Sequence, residues 1–120
     1  MAKETSSHLR VSPAGNAVVV ELTDRRILDE LSISEIGEQL NRMVMESSDP
    51  RFVLDFTNVA HMSSSALGML ITLHKHLRER GGELRLCGIQ PAIFEVFVIT
   101  RLNEIFTICP TRQEALDSLQ

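Results

Sequence analysis

Apolar positions along this chain switch repeatedly between strand-like and helix-like spacing. Ala17–Leu22 (AVVVEL) is a valine-rich run with the character of a buried strand. Ahead of it, His8–Pro13 reads as a short strand, with Pro13-Ala14-Gly15-Asn16 as the turn of a hairpin. Ser32 and Glu35 have capping-box spacing, and Ile33, Ile36, Leu40, Met43 and Val44 then recur at helical spacing until Ser47-Ser48-Asp49-Pro50 ends the helix. Arg51–Val59 (RFVLDFTNV) predicts a central strand. Ser63, Ser64 and Ser65 open a second helix running to about Arg80, with Ala66, Leu70, Leu73 and Leu77 on its apolar side and Gly81-Gly82 as its stop. Glu83–Ile89 alternates as a strand does, and Pro91 suits the first turn of a third helix, Pro91–Arg101. Leu102–Phe106 reads as a turn or short helical piece and Phe106–Cys109 as a last strand. Thr111 and Glu114 repeat the capping-box spacing and open a final helix to Leu119. Residues 1–7 are polar and expected to fray.

The order β-β-α-β-α-β-α-β-α predicts a single α/β domain over residues 1–120. Its sheet is mixed but mostly parallel, with an N-terminal hairpin and about four helices. The pattern leaves open whether helices cover one face of the sheet or both.

Composition narrows the function. The aromatic share is 4%, all phenylalanine, which supplies no stacking platform for single-stranded nucleic acid. The net charge of −4 provides no basic excess for phosphate binding, so nucleic acid is not an expected partner. Cys87 and Cys109 lack CxxC spacing and lie in apolar stretches, so both are expected to be buried, reduced thiols. The first residues, MAKETSSHLR, have no apolar signal region, and no run approaches the roughly 20 apolar residues of a bilayer span. The expected location is the cytoplasm, with no membrane insertion.

The serine cluster carries the most chemical information. A serine before a helix is ordinary capping chemistry, but three in succession exceed what a cap needs. Free N–H groups and the dipole at a helix N-terminus favour negative charge, so a phosphate there is compatible with the fold. Catalysis by one of these serines fits poorly. Asp55, His61 and His74 could be triad partners, but there is no G-x-S-x-G. His74 and His76 are two apart on a helix, diverge, and are expected to be solvated rather than metal-bound. No Walker-type or G-x-G-x-x-G loop points to a cofactor, and none is expected. Asp24, Arg25, Arg26, Asp29 and Glu30 form either a solvated loop or a docking surface. Loops at the C-terminal ends of strands gather on one edge, which groups residues 23–31 with residues 61–65. The third helix, with Ile93, Phe94, Val96, Phe97, Val98 and Ile99, is apolar on more than one face. Deep packing and a partly exposed patch are equally compatible with that pattern.

The run VLDFTNVAHMSSSALGMLITLHKHLRERGGELRLCGI resembles the centre of STAS domains, especially bacterial anti-sigma factor antagonists. Leu54-Asp55-Phe56-Thr57-Asn58-Val59 matches the family's L-D-x-S/T-x-V pattern, and Ser63-Ser64-Ser65-Ala66-Leu67-Gly68 its D-S-S/T-G-L-G motif. VITRLNEIFTI, Val98–Ile108, is similar to the family's L-T-G-L-x-x-x-F-x-I segment. The similarity runs from about Val18 to Leu119. It departs from the family at Ser63, where the motif has an acid, at Ala66, where it has glycine, and at Asp24-Arg25-Arg26-Ile27, where it has Gly-x-L-Asp. The resemblance implies a binding protein, not an enzyme. Its partner would be an anti-sigma factor that is also a serine kinase of the histidine-kinase-like ATPase class. The unphosphorylated form would hold that kinase and release a sigma factor. Phosphorylation at Ser64, with Ser65 as the secondary site, would switch binding off, and a phosphatase would reset it. The expected docking residues are Asp24 and Arg25, on the loop grouped with the serine turn, together with Ser63, Ser64, Ser65 and Leu67. The alternative is a constitutive, unphosphorylated STAS module in a scaffold or lipid-transport assembly.

Overall fold

The structure, a computed structural model, describes residues 4, 5 and 8–119. The elements in chain order are β1 (Glu4–Thr5), β2 (Leu9–Ala14), β3 (Ala17–Leu22), β4 (Arg26–Ile27), α1 (Glu30–Glu46), β5 (Arg51–Asp55), β6 (His61–Met62), α2 (Ser64–Glu79), β7 (Glu83–Cys87), α3 (Pro91–Ile99), β8 (Thr107–Cys109) and α4 (Arg112–Asp117). A 3₁₀ turn, Leu102–Glu104, joins α3 to β8. The fraying expected of residues 1–7 lies outside the described residues except at Glu4 and Thr5, which pair with Val11 and Arg10.

One six-stranded sheet, ordered β1-β2-β3-β5-β7-β8, organises the domain. The β2–β3 hairpin is antiparallel, and its turn carries Gly15 at φ 65°, a left-handed conformation that glycine adopts without penalty. From β3 to β8 every pairing is parallel. The mixed sheet with an N-terminal hairpin therefore matches the expected α/β class. β4 and β6 form a separate two-residue parallel pair that no apolar periodicity announces.

Helices cover both faces of the sheet, unequally. On one face α1, α2 and α3 contribute Ile36, Leu40, Leu70, Leu73 and Phe97 to a large core shared with Val20, Leu54 and Leu86. Gly37 lets α1 and α2 approach closely, since a Cβ there would stand 3.0 Å from Met69 Cγ. On the other face Ala115 and Leu119 close a small core over Ala17, Val19, Val53 and Cys87. Among the described residues no helix is long and apolar enough to cross a membrane.

Several boundaries differ from expectation for local reasons. α1 begins at Glu30 because Asp29, not Ser32, is its cap: the Asp29 carboxylate accepts from the Ser32 amide at 2.9 Å. β5 stops at Asp55 and not Val59, because the Asp55 side chain takes the Thr57 amide and bends the chain away from the ladder. α3 ends at Ile99. Its two candidate faces separate cleanly: Ile93 and Phe97 are buried, while Phe94, Val96, Val98 and Ile99 are exposed, Ile99 by 78%. His74 and His76 are half-buried rather than solvated. His74 packs edge-on against Phe106, and His76 Nδ1 meets Asn41 Oδ1 at 2.6 Å. Both thiols are free, Cys87 buried and Cys109 half-buried.

Arg101 follows α3 with φ 64°, the sole non-glycine residue with positive φ among those described. It stands where the L-T-G-L segment has glycine. A side chain in this conformation costs about 1–2 kcal/mol, partly offset by the extra freedom glycine has when unfolded. Arg101→Gly is therefore expected to stabilise the domain by up to about 1 kcal/mol in urea unfolding. A loss of stability would mean that the arginine side chain contributes more than its backbone strain costs.

Candidate functional site

The C-terminal ends of the parallel strands lie along one edge of the sheet, and the loops leaving them are stitched together by backbone. β4 and β6 pair Arg26 with His61 and Ile27 with Met62. The Ala60 amide donates to the Arg25 carbonyl at 2.8 Å, and the Ser63 amide to the Ile27 carbonyl at 3.1 Å. The two loops grouped by the sequence pattern thus form one bonded surface that delivers the chain to the start of α2.

The three serines have different duties there. Ser63 is the N-cap, its Oγ accepting from the Ala66 amide at 3.3 Å. Ser65 is exposed and donates to Glu30 Oε2 at 2.9 Å, tying the first turn of α2 to that of α1. Ser64 is exposed, and its hydroxyl bonds to no other described residue. The first turn of α2 contains no acid, so the positive end of a 16-residue helix faces outward beside a free hydroxyl. Arg25 and His61 are exposed nearby in the sequence-paired loops. Leu67 turns inward at 8% exposure and joins the large core, so it seats the helix from beneath.

Asp24 is half-buried and held by His8, whose Nδ1 lies 2.7 Å from Asp24 Oδ2. The other ring nitrogen, Nε2, lies 3.0 Å from Glu35 Oε1. Carboxylates only accept, so the ring satisfies both contacts as a doubly protonated imidazolium. Burial works against that charge, but hydrogen bonds to Glu35 and Asp24 outweigh it and raise the His8 pKa above its ordinary value of 6.5.

Asp55 lies behind this surface. It is 5% exposed, the one buried charged residue among those described. Oδ1 accepts from the amide and hydroxyl of Thr57, and Oδ2 from Arg112 Nε at 3.1 Å and Nη2 at 2.7 Å. Burial penalises the carboxylate, yet the bonds from Thr57 and Arg112 prevail and hold its pKa below the ordinary carboxylate value. Gly88, at φ 68°, keeps the neighbouring loop close, because a Cβ would meet Thr57 Oγ1 at 2.5 Å. Gln90 Nε2 completes the frame by donating to the Thr57 carbonyl at 3.0 Å. Arg112, Gly88 and Gln90 carry no local motif. The available signal is Arg112 itself: a cation in the first turn of a helix opposes the dipole and needs a partner elsewhere.

The model of the STAS domain family matches residues 10–115. The chain is similar to a Bordetella bronchiseptica protein, BtrV, named as an anti-sigma factor antagonist. The two are 34% identical over 89 residues, covering 74% of this chain and 76% of that one. A STAS domain protein from Planctomyces limnophilus superposes with a TM-score of 0.83 at 23% identity, covering 92% of this chain and 96% of that one. Bacillus SpoIIAA in its phosphorylated form superposes with a TM-score of 0.71 at 18% identity, covering 93% and 99%.

Removing either partner of the Arg112–Asp55 pair should have unequal effects. Arg112 is 44% exposed and water can solvate it, whereas Asp55 is 7% exposed at its side chain and cannot recruit water. Arg112→Ala is expected to cost about 1–3 kcal/mol in urea unfolding and Asp55→Asn less. The reverse order would show that setting an amide Nδ2 against the Arg112 donors costs more than leaving the buried carboxylate without its cation. Because the His8 pKa is raised, its contribution is fully present below about pH 6.5 and is lost as pH rises through the folded value. Wild type should lose stability relative to His8→Ala on going from about pH 6 to pH 8. Parallel pH profiles for the two proteins would contradict the pairing of a charged His8 with Asp24 and Glu35.

Proposed function

The chain belongs to the STAS domain family, and from that premise we propose that it is an anti-sigma factor antagonist switched by a phosphate on Ser64. The unphosphorylated protein binds a cytoplasmic anti-sigma factor, a serine kinase of the histidine-kinase-like ATPase class, and so frees a sigma factor. The kinase transfers the γ-phosphoryl of ATP to Ser64 Oγ, ADP leaves, and binding is lost. A phosphatase restores the hydroxyl. The docking surface comprises Asp24, Arg25 and the Ser63–Ser65 turn, with Leu67 as its support.

The observation that carries this reading is the division of labour among the serines. Ser63 is committed to the cap, and a phosphate on it would cost α2 its N-terminal bond. Ser65 faces the Glu30 carboxylate, which would repel a second anion. Ser64 alone is exposed without a side-chain partner among the described residues, next to free helical N–H groups. A phosphate there adds about −1.5 to −2 charges to the centre of the docking surface while leaving the packing beneath untouched. The protein's part is to bind and to accept a phosphoryl group, not to catalyse.

The test compares wild type, Ser64→Ala and Ser64→Glu for binding to the kinase recovered from source cells. Ser64→Glu is expected to bind at least about tenfold more weakly, a loss of about 1.4 kcal/mol, with its melting temperature within a few degrees of wild type. Ser64→Ala should bind as wild type does. Equal binding by all three would identify a constitutive STAS module. Loss of the fold in Ser64→Glu would show that the site is not a surface switch.

A further inference from the structure

A row of residues crosses the sheet at the C-terminal ends of its strands. Glu21 pairs with Asp55, Asp55 with Cys87, and Cys87 with Cys109. Residues paired in this way share a face of the sheet. Here it is the face covered by α4: Arg112 reaches Asp55 and Glu21, Cys87 belongs to the small core, and Cys109 packs against it. Two thiols therefore stand side by side on adjacent strands.

Neighbouring strands run about 4.7–4.9 Å apart, within the Cα separation of about 4.4–6.8 Å that disulfides bridge. A disulfide brings its Cβ atoms to about 3.8 Å, so one strand must shift by roughly an ångström. β8 has that freedom. It is three residues long and lies at the edge of the sheet with β7 as its neighbour.

We propose that Cys87 and Cys109 are a redox pair that closes reversibly into an intrachain disulfide, with a low-molecular-weight disulfide such as glutathione disulfide as oxidant. Cys109, half-buried, reacts first. Its Sγ loses a proton and attacks one sulfur of glutathione disulfide, and one glutathione thiolate leaves and takes up that proton. The buried Cys87 then gives up its proton and attacks the Cys109 sulfur, expelling the second glutathione as a thiol. Two protein thiols are oxidised by two electrons and one glutathione disulfide becomes two glutathiones. Burial pushes the Cys87 thiol up to about 12, which makes this second step the slow one. The bond would fasten β8 to β7 three residues before Arg112, at the entry to the Asp55 pair.

The folded wild-type protein is incubated in glutathione buffers of graded oxidised-to-reduced ratio at neutral pH, acid-quenched, alkylated and digested without reduction. Mass spectrometry is expected to find a Cys87–Cys109 cross-linked peptide in monomeric protein, minus two hydrogens, that disappears when reduced glutathione is restored. Cys87→Ala should stop at glutathione on Cys109. Oxidised wild type should unfold at higher urea than reduced. Wild type that stops at a mixed disulfide on Cys109, dimerises through it, fails to react, or cross-links only in urea would overturn the proposal.

Discussion

A single buried carboxylate organises the working edge of this domain. Asp55 ends the central strand, and its four acceptor contacts all go to groups that would otherwise leave that edge undefined. Thr57 turns the chain out of the sheet, and Arg112 docks the last helix over the strand ends. An ionised group with 5% exposure is tolerable only when such partners surround it. Their geometry in turn dictates where the chain between residues 56 and 63 must go. That chain pairs with residues 25–27 and arrives at α2 with Ser63 already placed as its cap. The position of Ser64 is thus downstream of an interaction it never touches.

Under the proposed phosphorylation of Ser64, this arrangement lets the surface change its charge without changing the fold. The helix beneath Ser64 is held by Leu67, Leu70 and Leu73 in the large core, and its entry by backbone bonds to the loop before α1. The groups near Ser64 that bear charge, Glu30 and the exposed arginines of the loop, lie outside that core. Rigid support and a free hydroxyl belong to separate layers, and a modification of the second need not disturb the first.

Much of the fold was legible because apolar periodicity and capping chemistry agree. AVVVEL, the Leu70–Leu77 stripe and the Thr111 cap occur where their physics places them. The α1 start was missed because two side chains at capping spacing competed, and only the fold shows that Asp29 reaches the free amide. β5 read too long because Phe56 and Val59 are apolar but pack in a turn rather than a strand. The two-residue strands β4 and β6 have no periodicity to read. At the site, the serine cluster was visible, but the separate roles of Ser63, Ser64 and Ser65 depend on Glu30 from another helix. The Asp55–Arg112 pair spans 57 positions and leaves no local pattern.

The most direct measurement is the location of phosphate on the wild-type protein after incubation with the proposed partner kinase and ATP, read by fragmentation mass spectrometry of the intact serine peptide. The account predicts a single phosphate on Ser64, with Ser63 and Ser65 unmodified. A phosphate on Ser63 or Ser65 with Ser64 bare, or a kinase that binds the protein and leaves all three serines unmodified, would contradict it.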